Sequence, residues 1–278
     1  MRKFFVFLFS LIFISGCSSK FAYNNLDWLV YWYLDDYIEL TDAQEARFDN
    51  KLATWLAWHK QQELGQYVDH LSAVKQQALT EAMSPQEIAS QFESARSHWD
   101  RLRQKLSPEL ANMATELSDE QIVYLFAALE KDNQKEEEER EDLDPEERID
   151  DRTERIIDQI EEMIGKTTSD QRQIIATYSP QYQSTFDHWL SYRRAIQSEA
   201  RTLFATRDSN PNFVADLTDL MLNPDAYRSE EYQAITAQNR LLMATMLSEI
   251  HTTLTDKQKR KLSKEISAII DDLEDLMS

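Results

Sequence analysis

Glycine is almost missing from this chain, with three in 278 residues, at positions 16, 65 and 165. Phosphate-cradling loops, dinucleotide-binding turns and nucleophile elbows each need glycines close together, where the backbone bends sharply or approaches a ligand. Isolated glycines build none of these. Tight β-hairpins, which favour Asn-Gly or Asp-Gly turns, lose support in the same way. Cysteine is scarcer still: Cys17 stands alone, so no disulfide can close within the chain. Basic residues are outnumbered, 30 Lys and Arg against 50 Asp and Glu, for a formal charge of −20. Nucleic-acid binding draws on Lys and Arg to displace counterions from phosphates, and the expectation here is no nucleic acid. Long apolar runs are lacking too. Phe4 to Ile14 spans 11 residues, against about 20 for a membrane-crossing helix.

That short run carries its own message. Arg2 and Lys3 precede it and small residues close it, the layout of a secretory signal peptide. Its end, Ile14-Ser15-Gly16-Cys17, resembles the lipobox of bacterial lipoproteins. The resemblance implies cleavage before Cys17 and acylation of the new terminus, palmitate included. Ser18 rather than Asp at the second mature position implies, for a Gram-negative source, sorting to the outer membrane with the protein on its periplasmic face. Residues 1–16 are then the signal peptide, 17–22 a lipidated N-terminus and short tether, and 23–278 a helical periplasmic domain. Losing Arg2 and Lys3 takes the charge to −22. With Cys17 acylated, no thiol remains to ligate a metal or to attack a substrate.

What the mature chain does contain is helix-start grammar. All six prolines follow a residue that caps helices, in Ser84-Pro85, Ser107-Pro108, Asp144-Pro145, Ser179-Pro180, Asn210-Pro211 and Asn223-Pro224. Proline suits the first helical position, which needs no N–H, and the residue before it can accept from an orphaned backbone N–H. Each pair therefore predicts a helix start. Capping boxes are legible at Thr41…Gln44, Ser84…Glu87, Ser118…Gln121, Asp144…Glu147, Thr168…Gln171 and Thr255…Gln258. The expected fold is all-α, a multi-helix bundle of about nine or ten capped helices. A coarse map has helical stretches at 23–38, 42–79 (one long helix, or a pair interrupted near Gly65), 85–105, 108–116, 119–140, 145–164, 169–178, 180–206, 211–222, 225–252 and 256–276.

Four tryptophans gather early, Trp28, Trp32, Trp55 and Trp58. A first helix apolar on more than one side is expected to be buried, with an aromatic groove or a membrane-interface contact as the functional alternative. Residues 130–155 hold 14 acidic and six basic side chains and read as an acidic helical excursion. Arg193, Arg194 and Arg201 could meet an anionic partner, although in so acidic a chain pairing with the protein's own carboxylates is favoured. The five histidines (His59, His70, His98, His188, His251) form no His-x-x-x-His pair. No metal site, cofactor or catalytic residue is assigned. His59 with Glu63, and His98 with Asp100, read as surface arrangements.

The stretch from Tyr23-Asn24-Asn25-Leu26-Asp27-Trp28 through Tyr33-Leu34-Asp35-Asp36-Tyr37, with Leu40-Thr41-Asp42-Ala43-Gln44 and Leu117-Ser118-Asp119-Glu120-Gln121, resembles a family of uncharacterised proteobacterial lipoproteins. That resemblance implies no activity and no functional residues. The expectation is a non-enzymatic protein held to the membrane through Cys17 and binding an envelope protein as scaffold, assembly factor or chaperone. The alternative is a binding module for a lipid or small apolar ligand. Its candidate surface is Trp28, Trp32, Trp55, Trp58, Arg193, Arg194 and Arg201.

Overall fold

The computed structural model describes residues 23–141 and 144–278; Cys17, the signal segment and the tether lie outside the described residues. Among the described residues there are eleven α-helical segments and no strand. They are α1 (Leu26–Leu34), α2 (Asp42–Trp58), α3 (Leu64–Thr80), α4 (Pro85–Ala114), α5 (Asp119–Glu141) and α6 (Pro145–Ile164). After these come α7 (Ser169–Tyr178), α8 (Phe186–Thr206), α9 (Phe213–Leu222), α10 (Glu230–Thr252) and α11 (Asp256–Met277). A π turn, His59–Glu63, joins α2 to α3 without a break, so ten helices stand as separate bodies.

Every capping box read from the sequence forms. Thr41, Ser84, Asp144 and Thr168 each sit in extended backbone and exchange bonds with the residue three ahead. Ser118 and Thr255 do the same, their backbone N–H groups donating to Gln121 and Gln258 at 2.9 and 3.0 Å. The box satisfies two orphan donors at once, so it fixes a start strongly. Gly165, at φ 80°, ends α6 in a conformation that glycine alone adopts without strain.

The proline pairs mislead more often. Only Ser84-Pro85 and Asp144-Pro145 open α-helices. Pro108 lies inside α4, so the two helices expected at 85–105 and 108–116 are one of 30 residues. An internal proline costs about 3 kcal/mol. Here Ser107 and Ala111 are fully buried beside it, and α4 packs along α9 and α10. Burial of that face outweighs the lost bond. Pro180 is the second residue of a short 3-10 turn and Pro224 the first of another, and α8 and α10 begin later, at Phe186 and Glu230. Ser229 is the cap of α10.

The described residues form two compact units, one made of residues 23–80 with 259–278 and the other lying within 81–258. In the first, Phe48, Leu52, Trp55 and Leu64 of the α2–α3 rod are buried, and Lys75 Nζ donates to Ser267 Oγ of α11 at 2.5 Å. In the second, Ala111, Phe126, Phe204, Phe213, Leu217 and Leu220 from α4, α5, α8 and α9 make one core. Phe204 meets Phe126 and Phe213 edge-on at 6.0 and 5.3 Å, the geometry aromatic quadrupoles prefer.

Candidate functional site

In the first unit α1 folds back along α2. Tyr23 reaches His59, while Tyr31 meets Phe48 edge-on at 5.6 Å and donates to Asp49 at 2.7 Å. The two helices are therefore antiparallel, and α1 has a covered side and an open one. Trp28 and Trp32 stand on the open side, one helical turn apart, 62% and 60% exposed. This corrects the expectation of burial: no residue of α1 is fully buried. Helical pattern shows that a helix is apolar on two sides, but not whether neighbours cover both. Trp55 does lie in the core, and its indole N–H has no acceptor among the described residues. Trp58 is half-buried beside His59. The four tryptophans thus occupy different environments.

His59 is the polar centre of this hairpin. Tyr23 Oη lies 3.0 Å from Nδ1 and Tyr67 Oη 3.1 Å from Nε2. A neutral imidazole has one donor and one acceptor, so one tyrosine donates to the ring and the other accepts from it. Burial lowers the His59 pKa to about 4 and pushes Tyr23 up to about 12. His59 and Tyr23 are therefore uncharged at neutral pH. The π turn makes this possible. It holds one residue more than an α turn, so positions 59 and 67 pack as if seven apart, two turns along one face. Glu63 is buried in the same turn. His59 and Glu63 are not a surface pair.

The basic residues of α8 in the second unit are engaged with the protein's own groups, Arg193 buried, Arg194 half-buried and Arg201 exposed. Arg194 grips both Glu137 oxygens, at 3.0 and 2.7 Å, and Glu130 at 3.0 Å. Arg193 is 2% exposed, lies 5.4 Å over the Trp189 ring and has Asp132 at 3.6 Å. Arg201 covers the edge of the core at Phe126, 5.0 Å from the ring centre. These three bind α8 to α5, where Arg193 and Arg194 meet the acidic side chains of Glu130, Asp132 and Glu137. Asn133, fully buried, donates to Gln197 at 2.7 Å from the same stretch. Arg152 adds bonds to the Ser179 and Tyr182 carbonyls, each at 3.1 Å.

Two features of this unit lay outside the sequence reading. Gln171 and Gln258, the closing residues of two capping boxes, are buried against each other with amides bonded both ways, at 3.0 and 2.8 Å. Their remaining groups cap α7 and α11 and reach the Thr253 and Lys166 carbonyls. The boxes were legible; their meeting, 87 residues apart, was not. The second is the outer face of α5. Ile122, Phe126 and Leu129 turn into the core, but Val123 and Tyr124 are 70% and 51% exposed, with Ala127 exposed one turn on.

An open cleft of about 600 Å³ is lined by Arg96, Asp100, Arg103 and Gln104 of α4, with Leu222, Asn223, Asp225 and Ala226. Its charges answer one another, Arg96 with Asp225 and Arg103 with Asp100. Among the described residues no three His, Cys, Asp or Glu groups converge as metal ligands. No described helix is long and apolar enough to cross a membrane. No curated protein and no solved structure matches this chain. A family model does match residues 36–233, from just after α1 into the start of α10, which is well over half of the sequence. The chain belongs to a family of unknown function, DUF6279.

Proposed function

We propose that this protein is a lipid-anchored, non-enzymatic module of the bacterial envelope that binds another protein through the outer face of α5. The observation that carries the reading is the exposed patch of Val123, Tyr124 and Ala127 on a helix whose opposite side is core. Positions 123, 124 and 127 are neighbours on a helix surface. Glu120 and Lys131, one turn to either side, are exposed and oppositely charged. An apolar centre holding a tyrosine, within a rim of mixed charge, is the make-up of a protein-binding surface. The strongly acidic chain would draw in a basic partner and speed encounter. The lipobox and Ser18 support attachment at Cys17, on the periplasmic face of an outer membrane.

The test is a photo-crosslinking residue at position 124 in living cells, followed by mass spectrometry. The reading expects a discrete envelope protein, lost when Val123→Asp is added. Crosslinks to lipid alone, or none, would sink it. The alternative, a carrier of a lipid or small apolar ligand, is separated by native mass spectrometry: a bound apolar molecule favours it over the protein-binding reading.

A further inference from the structure

We infer that Trp28 and Trp32 form an interfacial foot, which seats α1 on the zwitterionic headgroup layer of the membrane that holds the Cys17 acyl chains. The inference rests on the anchoring reading and adds to it how the anchored protein is held. Four observations point the same way. Both indoles are exposed on one side of α1, while Tyr23 and Tyr31 pin the other side to the α2–α3 rod. The foot is therefore rigidly presented. Its side chains are tryptophans, whose large apolar ring and single N–H suit the boundary between headgroups and acyl chains.

The third observation is reach. Tyr23 is the sixth residue after Cys17, and six residues at full extension span about 20 Å. Trp28 is five residues further on, about 8 Å at the helical rise. A tethered group confined so closely to a surface meets it at a high effective concentration. Two rings are then enough, because the acyl chains already supply attachment and the rings supply orientation. Free in solution, the same two rings would bind weakly.

The fourth observation is charge. Asp27 and Asp35 are exposed on α1 and at its end, with Asp36 beside them, and the mature chain is at −22. Anionic lipids repel such a surface. A neutral zwitterionic layer does not, and it is the occupant to which the foot is matched.

The experiment uses the full lipidated protein in phosphatidylcholine vesicles, with part of the lipid brominated near the headgroup end of its chains. Six tryptophans emit in this chain, so a Trp28→Phe/Trp32→Phe double variant locates the quenching. The expected result is quenching in the wild type, most of it lost in the double variant, with unchanged thermal unfolding. Replacing phosphatidylcholine by anionic lipid at low salt weakens the wild-type signal. Equal quenching in both proteins overturns the inference, as does an absence of quenching when mass spectrometry shows Cys17 acylated. An unmodified Cys17 overturns the anchoring reading, and the foot with it. A photo-crosslinker at position 28 that captures a protein instead of lipid reassigns the surface and overturns the inference too.

Discussion

Helices α1 and α8 are both rich in aromatic residues, yet they end in opposite environments. On α1, Trp28 and Trp32 face outward and only one flank of the helix is covered. On α8, Trp189 lies under Arg193, Arg193 and Arg194 meet carboxylates of α5, and Tyr192 packs on Tyr232 of α10 at 5.9 Å. The number of neighbours accounts for the contrast. Helix α8 packs against both α5 and α9, and its arginines reach carboxylates and a ring on α5. Helix α1 is nine residues long with one side pinned to a single rod. The same contrast runs through the polar locks of the two units. The first closes on a titratable group, His59 between two tyrosines. The second closes on Gln171 and Gln258, which carry no charge at any pH.

The largest effect is expected at the amide lock. Gln258→Leu removes the acceptor for the Thr255 N–H and both bonds to Gln171, which has no exposed surface. Loss of a cap costs about 1 kcal/mol, and stranding a buried amide adds about 1–3. A destabilisation of about 3 kcal/mol in urea unfolding follows from the two. Gln258→Glu sharpens the point. It keeps the shape but loses the donors and buries a carboxylate, whose pKa must rise. A group with a raised folded pKa gives stability that is lost as pH rises. That variant should therefore recover toward wild type on acidification.

This lock shows how far the sequence could be read. Each capping box is a local event, three residues from cap to closure, so Thr168…Gln171 and Thr255…Gln258 were visible as strings. Their glutamines could equally have faced water, and nothing local says that they meet. The proline pairs failed for a related reason. Ser107-Pro108 satisfies every local rule for a helix start, but burial of Ser107 and Ala111 in α4 decides the outcome. Ser229 was missed because Tyr232, at the closing position, completes no box. The internal pairing of α8 followed from charge balance, whereas exposure of α1 depended on which neighbours were near. The π turn that brings Tyr67 under His59 has no sequence signal at all.

The histidine lock of the first unit gives the next effect, and it is a pH effect. His59 has a folded pKa of about 4 against 6.5 in a free chain. The unfolded chain then binds more protons between those values, so stability is complete above pH 6.5 and is lost as pH falls toward 4. The span corresponds to at most about 3 kcal/mol. In the second unit, bonds from Asn133 and Arg194 lower the Glu130 pKa, and bonds from Thr167 lower that of Glu161. Their contribution is lost only below the ordinary carboxylate range. Hydrogen exchange at pH 5 should therefore show α1, α2 and α3 opening more readily than at pH 7, while α5 and α8 keep their protection. Equal loss in both units would break the comparison. In a His59→Phe variant the acid sensitivity of the hairpin should disappear.

The smallest effect is expected where the first unit meets its surroundings. Trp28→Ala and Trp32→Ala remove rings that are mostly exposed already, so little apolar area returns to water when they go. Surface substitutions of this kind stay within about 0.5 kcal/mol. Alanine is also the better helix former, which offsets part of the loss. Trp55→Ala is the internal control, because Trp55 is buried against Phe48 with the rings 6.1 Å apart. Truncating a buried tryptophan costs about 3–5 kcal/mol. Thermal unfolding of the three variants in detergent-free buffer thus separates two kinds of tryptophan on neighbouring helices. If Trp28→Ala destabilised the unit as much as Trp55→Ala, the open side of α1 would be packing against the protein itself. If it leaves stability intact, those rings are retained for what lies outside the chain.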